Sequence, residues 1–306
     1  MHILVIGRQG QVARSLIERA ETRGGIVLTA LGRPELDLSR PDRLDDLLRR
    51  HGPDVVINPA AYTAVDRAET DSAAAFAVNR DGARAVAEAA GRLGVPVIHL
   101  STDYVFDGAG EGAYREDDPV GPRSVYGRSK LAGEQAVAEA NAKHLIIRTA
   151  WVYSPFGANF ARTMLRLGRE RPSLGVVDDQ WGSPTYAPDL ADALLALAPR
   201  LAGPAWCDDF AGIYHLAGAP AMTWCAFARE IFAVSARHGG PAVPVQAIGT
   251  ADYPTAAVRP ANSRLDCSRI EHRFGLRLPE VRDALERCVP RILAANPANT
   301  TIGATR

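Results

Sequence analysis

Along the first half of the chain, short apolar runs rich in β-branched residues alternate with longer stretches whose apolar positions recur at helical spacing. "HILVIG" (2–7), "IVLTAL" (26–31), "DVVINP" (54–59), "PVIHLS" (96–101) and "HLIIRTAW" (144–151) read as buried strands. Between them, "QVARSLIERAETR", "DRLDDLLRRHG", "AAAFAVNRDGARAVAEAAGRLG" and "GRSKLAGEQAVAEANA" read as helices. "LSRPDRL" marks one helix start, with Ser39 or Asp42 as its cap and Pro41 early in it. Strands without polar alternation are buried on both faces, so the pattern predicts a parallel sheet flanked by helices. Right-handed crossovers then make a doubly wound α/β fold.

After about residue 150 the rhythm loosens and Pro and Gly punctuate it densely. "SPFGANFARTMLRLGRERP", "DLADALLALAPRL", "TWCAFAREIFAVSARHG" and "SRIEHRFGLRLPEVRDALERCVPRILAA" read as helical, while "LGVVDDQWGSPTYAP" and "GIYHLAG" hold short strands. The expected division is a sheet domain over 1–150, with a returning segment about 172–190, and a smaller α/β domain over 151–171 and 191–306. The tail "NPANTTIGATR" is expected to fray.

The first strand runs into the first helix through "VIGRQGQVA", with Gly7, Gly10 and Ala13 three residues apart. A dinucleotide pyrophosphate needs free backbone N–H groups at a helix N-terminus and no side chain in the way. Gly7 suits the tight turn, Gly10 the close approach, and Ala13 the packing of helix on strand. After the second strand, "ALGRPELDL" places Gly32 and Arg33 where an acidic residue would hold the ribose 2′-hydroxyl of NAD. An arginine pairs with a 2′-phosphate, which favours NADPH; NADH, with Arg33 merely solvated, is the other reading. Asp37 and Leu38 are expected to flank the adenine. "AAYTAV" (60–65), with Ala61, Tyr62 and Thr63, is expected on the nicotinamide side.

In "SVYGRSKLAGEQAV", Tyr126 and Lys130 share a helix face at i and i+4. The fourth strand ends in "LSTDYVFDG", which delivers the hydroxyl of Ser101 or Thr102 to the same edge of the sheet. A nearby ammonium and a nicotinamide cation lower a phenol from its usual pKa of about 10. Such a tyrosine gives a proton to a carbonyl oxygen as hydride arrives, a contribution of about 10²–10⁴ in rate, and Thr102 is expected to hydrogen-bond the same oxygen. Trp151 offers a plane for a sugar or base, and Arg259 suits a nucleotide diphosphate or a surface ion pair. His99, inside an apolar strand, reads as a packed core residue.

Composition narrows the field. The 35 basic and 35 acidic residues cancel across 306 residues, which gives no sign of a nucleic acid or membrane partner. Four scattered cysteines (Cys207, Cys225, Cys267, Cys288) lack metal-site spacing, and the histidines form no cluster, so no metal is expected. Without a signal-like or membrane-length apolar run, the expectation is a soluble cytoplasmic protein.

"GRQGQVA", "INPAAYTAVDRAE", "AVN", "HLSTDYVFDG", "VYGRSKLAGE", "RTAWVY", "NFARTMLRL", "DDQWGSPT", "YHLAG" and "RPANSRLD" together resemble the extended short-chain dehydrogenase/reductases. Among these the chain is most similar to the dTDP-4-dehydrorhamnose reductase family, over residues 7 to about 266. The resemblance implies a Rossmann domain and NAD(P)H-dependent reduction of the 4-keto group of dTDP-4-dehydro-β-L-rhamnose. It implies Thr102, Tyr126 and Lys130 as the catalytic trio, with Lys130 also on the nicotinamide ribose. It further implies Gly10, Gln11 and Val12 at the pyrophosphate, Ala61, Tyr62 and Thr63 along the cofactor, and Thr102, Asp103 and Trp151 at the substrate. Asn79 matches an asparagine behind the catalytic centre.

Departures from the family are the alanine at Ala13, Pro59 after Asn58, and Ser15 where some members carry an acid used in a metal-linked dimer. The chain is expected to act as a monomer or homodimer on a sugar nucleotide. Alternatives are another sugar-nucleotide ketoreductase and a regulatory subunit that keeps fold and cofactor without turnover. Dehydratases of the superfamily place Asp-Glu after the threonine, whereas Asp103 and Tyr104 stand here.

Overall fold

The computed structural model describes residues 1–295; the tail 296–306, expected to fray, lies outside the described residues. Six parallel strands form the central sheet. They are β1 (His2–Ile6), β2 (Val27–Leu31), β3 (Val55–Asn58), β4 (Val97–Thr102), β5 (His144–Thr149) and a late strand, Gly212–His215. Their spatial order is Gly212–His215, β5, β4, β3, β1, β2. The order reverses between β1 and β3, which opens a crevice at the carboxyl ends of those strands, where ligands of such sheets bind. Ile3, Leu4, Val5, Val55, Val56, Ile57 and Ile98 are fully buried, as expected for strands covered on both faces.

Helices Gln11–Glu21 and Ala187–Leu201 pack together on one face, and helices Leu44–His51, Ala83–Arg92 and Val125–Ala140 cover the other. The helix after "LSRPDRL" begins at Leu44, and neither Ser39 nor Asp42 caps it. Ser39 is bound instead to Asp37 Oδ1 through its backbone N–H at 2.9 Å and its hydroxyl at 2.8 Å. The long helix expected over "AAAFAVNRDGARAVAEAAGRLG" is interrupted by a π turn, Ala77–Gly82. Close packing on both sides accounts for it. A Cβ on Gly82 would lie 2.7 Å from Leu38 O, and one on Gly133 would run into Asn79 O.

A second core joins helices Phe160–Glu170, Trp224–Arg237 and Val281–Ala294 to a parallel pair, Leu174–Val177 with Val245–Ile248. Leu174 and Val176 belong to the second core, whereas Ala187–Leu201 and Gly212–His215 belong to the first. "APDLADALLALAPRL" is rich in small and apolar residues, ten of them buried alongside Asp189, and lies close against Gln11–Glu21. Arg19 Nε to Asp192 Oδ2 at 2.8 Å ties the two helices.

Candidate active site

Gly7 ends β1 with φ +115°, a conformation open to glycine, and a Cβ there would meet Ala60 and Ala13 at 3.6 and 3.8 Å. Gly10 precedes the first helical residue, Gln11, and no side chain caps the helix. Nothing lies within 4 Å of where a Gly10 Cβ would stand. The N–H groups of Gln11 and Val12 thus open the helix beside unfilled space, a cradle that fits a pyrophosphate. Gln11's side chain does other work: its Oε1 accepts from Ser154 Oγ at 2.7 Å and Asn159 Nδ2 at 3.0 Å, tying the glycine turn to the second core.

At the end of β2, Arg33 is exposed and makes no ion pair among the described residues, while Arg8 from the glycine turn pairs with Glu35 at 2.5 Å. Asp37 is held by Ser39, whose backbone N–H chiefly keeps the carboxyl below the usual range. Leu38 is 7% exposed and packs with Leu36, Leu44 and Ala83, so its side chain serves the core and only its backbone could border an adenine. In the loop after β3, Ala61 and Tyr62 are partly exposed and Thr63 exposed. Buried Asn79 clamps this turn, accepting from Tyr62 N–H at 2.8 Å and donating to Tyr62 O at 3.1 Å and Ser129 Oγ at 2.9 Å. The π turn thus fastens the β3 loop to the helix that carries Tyr126 and Lys130.

Ser124 caps that helix, accepting from Gly127 N–H at 3.1 Å. A Cβ on Gly127 would collide with Tyr104 O, which is how the helix start comes close to the end of β4. The phenol of Tyr126, partly exposed at the crevice, is pushed up to about 12: burial raises it most, the Thr102 hydroxyl beside it lowers it, and Asp103 raises it. Lys130 is not among the groups that shift the phenol here; its Nζ binds β4. It donates to Leu100 O at 2.6 Å and lies 3.3 Å from His99 Nε2, still against β4 and two residues before Thr102. Burial pushes the Lys130 amine down to about 8, with Glu134 opposing it.

Thr102 Oγ1 donates to Asp103 Oδ1 at 2.8 Å and accepts from Tyr104 N–H at 3.2 Å. In this arrangement its proton points to Asp103. Asp103 is 2% exposed, and its Oδ2 has no partner. Burial pushes its carboxyl up to about 6 against the hydroxyls of Thr102 and Ser263. Ser101 is buried with no partner for its hydroxyl, which leaves Thr102 as the β4 hydroxyl beside the phenol.

Trp151 holds φ +47°, the one positive φ at a non-glycine position among the described residues. Its ring stacks on Trp224, centroids 3.4 Å apart and planes 3° from parallel, and it abuts Gly182, where a Cβ would collide with the indole. One face of the indole is thus covered by Trp224. Of the two readings for Arg259, the ion pair is formed, with Asp66 at 2.5 Å, and Arg259 Nη1 is buried without a partner.

Sequence reasoning missed Glu134 and Arg148, a buried bidentate pair at 2.9 and 2.7 Å behind Lys130, although Glu134 stands i+4 from Lys130. It also took His99 for a packing residue, whereas His99 has polar partners on both ring nitrogens. Ser15 is buried, its hydroxyl donating to Gln11 O at 2.8 Å. Among the described residues no group of three His, Cys, Asp or Glu is placed to hold a metal. All four cysteines are free thiols, and no helix of the described residues is long and apolar enough to cross a membrane.

The sequence model of the RmlD substrate binding domain matches residues 1–294. The dTDP-4-dehydrorhamnose reductase of Sinorhizobium fredii is 48% identical over 293 residues, 96% of this chain and 98% of the relative. That of Escherichia coli K12 is 41% identical over 292 residues, 94% and 96% of the two chains. Among solved structures, the dTDP-4-dehydrorhamnose reductase of Clostridium acetobutylicum superposes with a TM-score of 0.87 at 33% identity, covering 94% of this chain and 98% of that one. The reductase of Bacillus anthracis, solved in complex with NADP, gives 0.86 at 33% identity with the same coverage. The chain belongs to the RmlD substrate binding domain family, with the dTDP-4-dehydrorhamnose reductases as its relatives.

Proposed function

We propose that this protein uses NADPH to reduce the 4-keto group of dTDP-4-dehydro-β-L-rhamnose, giving dTDP-β-L-rhamnose. The observation that carries the reading is the Tyr126 phenol beside the Thr102 hydroxyl at the carboxyl end of β4, on the same sheet edge as the uncapped, unobstructed glycine turn after β1. Bound NADPH supplies the hydride to the carbonyl carbon. Gly7, Gly10, Gln11 and Val12 cradle the pyrophosphate, Arg33 meets the 2′-phosphate, and the backbone of Asp37 and Leu38 borders the adenine. Ala61, Tyr62 and Thr63 line the nicotinamide side.

Tyr126 gives its proton to the carbonyl oxygen, so that the carbonyl gains one hydride and one proton and becomes an alcohol. Lys130 holds the nicotinamide ribose and, as an ammonium, steadies the phenolate. Thr102, its hydroxyl beside the phenol, eases release of the phenol's proton. Asp103, Trp151 and Arg259 border the sugar nucleotide: Asp103 through its unpartnered Oδ2, Trp151 through its edge, and Arg259 through its unpartnered Nη1. The protein works in the cytoplasm as a monomer or homodimer.

The test is NADPH oxidation followed at 340 nm with freshly generated dTDP-4-keto-6-deoxy-L-sugar. Stoichiometric consumption with formation of dTDP-L-rhamnose supports the reading. Cofactor binding without consumption would assign the chain to a regulatory role instead.

A further inference from the structure

Behind Lys130 runs a buried polar chain that the reaction as described leaves unused. Lys130 Nζ lies 3.3 Å from His99 Nε2, and His99 Nδ1 lies 3.2 Å from Asn58 Nδ2. Asn58 Oδ1 accepts from Ala60 N–H at 3.2 Å. Asn58 and His99 are 0% exposed and Lys130 1%.

A backbone N–H only donates, so Ala60 fixes the Asn58 amide with its oxygen towards Ala60 and its NH₂ towards His99. The NH₂ donates to Nδ1, which must then carry the lone pair. A neutral imidazole in that state keeps its proton on Nε2, facing Lys130. An amine accepts that proton; an ammonium has no lone pair with which to do so. If Lys130 is charged, two donors face each other across one of the two gaps, whichever tautomer His99 adopts. Only with neutral Lys130 does every contact in the chain match a donor to an acceptor, and in so dry a place a mismatch is costly.

We propose that His99, its tautomer set by Asn58, is a positioning residue that holds Lys130 ready to give up its proton. The proposal rests on the reading of Lys130 as the catalytic lysine. The lowered Lys130 amine agrees with it, as does His99 itself, held well below its usual range first by burial and then by Lys130. The charged and titratable groups on the elements around Lys130 are His99 and Asp103 from the β4 segment, Tyr126, Arg128, Glu134 and Glu139 from its own helix, of which Arg128 and Glu139 are exposed, and His144 and Arg148 from β5. Arg148 is paired to Glu134, while Asn79 and Ser129 on the other flank are neutral. The consequence is an upper pH limit on turnover: the ammonium that steadies the phenolate is lost as pH rises through about 8, and His99 keeps that limit low.

His99→Gln tests this, because a glutamine in that place can turn its side-chain oxygen to the ammonium. The upper limb of the kcat–pH profile should move up by about one pH unit, a tenfold gain in Lys130 proton affinity, with NADPH affinity within twofold. Asn58→Asp should move it the same way, since a carboxylate accepts from His99 Nδ1–H and turns the Nε2 lone pair to Lys130. Adding His99→Leu to Asn58→Asp should then cancel most of the shift; a shift that persists means the new carboxylate acts by charge alone, which overturns the tautomer argument. A limb unmoved in His99→Gln, in protein that melts as the parent does, overturns the proposal; where His99→Gln fails to fold, the Asn58→Asp pair decides it. Direct NMR titration of isotope-labelled lysine separates the two readings. A raised Lys130 titration with unaltered turnover in Lys130→Met refutes the catalytic lysine and leaves the His99 coupling intact.

Discussion

Trp151 and Trp224 lie ring on ring, centroids 3.4 Å apart and planes 3° from parallel, although Trp224 packs on the second core and Trp151 on a separate cluster around Val105 and Phe106. Trp151 keeps its left-handed backbone conformation with its indole stacked on Trp224 and close against Gly182. Trp224→Ala should therefore cost about 3 kcal/mol of stability by urea unfolding. It should also raise KM for the sugar nucleotide several-fold while leaving NADPH affinity unchanged.

Arg148 and Glu134 are each 2% exposed and face each other bidentately, with the guanidinium 5.1 Å from the Phe106 ring centroid. Removing one partner strands a buried charge. Glu134→Gln should lower stability by about 3–5 kcal/mol in a denaturant titration, while a joint replacement by Met at 148 and Leu at 134 should recover most of it.

Asp103 is a carboxyl whose folded pKa is raised from 3.8 to about 6. Its contribution to stability is whole below about pH 4 and is lost as pH rises through about 6, because the folded protein prefers the protonated form. Asp103→Asn should thus be neutral at pH 4 and stabilising by roughly 2–3 kcal/mol at pH 8, measured by unfolding at both values. Turnover should fall in the same variant, because the Thr102 proton loses its charged acceptor.

Arg33 is exposed at the end of β2 and makes no ion pair among the described residues, whereas Arg8 beside it is engaged by Glu35 and Ala30 O. Arg33→Ala should raise KM for NADPH about tenfold and leave KM for NADH within twofold. Equal effects on the two cofactors would remove Arg33 from the 2′-phosphate.

The sheet was legible because its strands are unbroken apolar runs: "HILVIG" and "PVIHLS" became His2–Ile6 and Val97–Thr102 almost to the residue. "GIYHLAG" was found as a strand but not placed in the main sheet, since pairing with β5 across more than sixty residues leaves no local mark. The π turn at Ala77–Gly82 was illegible for a similar reason, its cause being contacts of Gly82 and Gly133 with distant backbone. At the site, spacing showed which residues share an edge and a helix face. It did not show where their protons point: that Thr102 donates to Asp103, or that Lys130 turns to Leu100 and His99, depends on atoms brought in by other strands.

The central claim is that the Tyr126 phenol delivers the proton to the substrate carbonyl. The most direct measurement is single-turnover NADPH oxidation by Tyr126→Phe with dTDP-4-keto-6-deoxy-L-sugar, alongside the dissociation constant for NADPH. We expect a fall of at least about 10² in rate with cofactor affinity within twofold of the parent. A rate within a factor of about three of the parent would contradict the assignment.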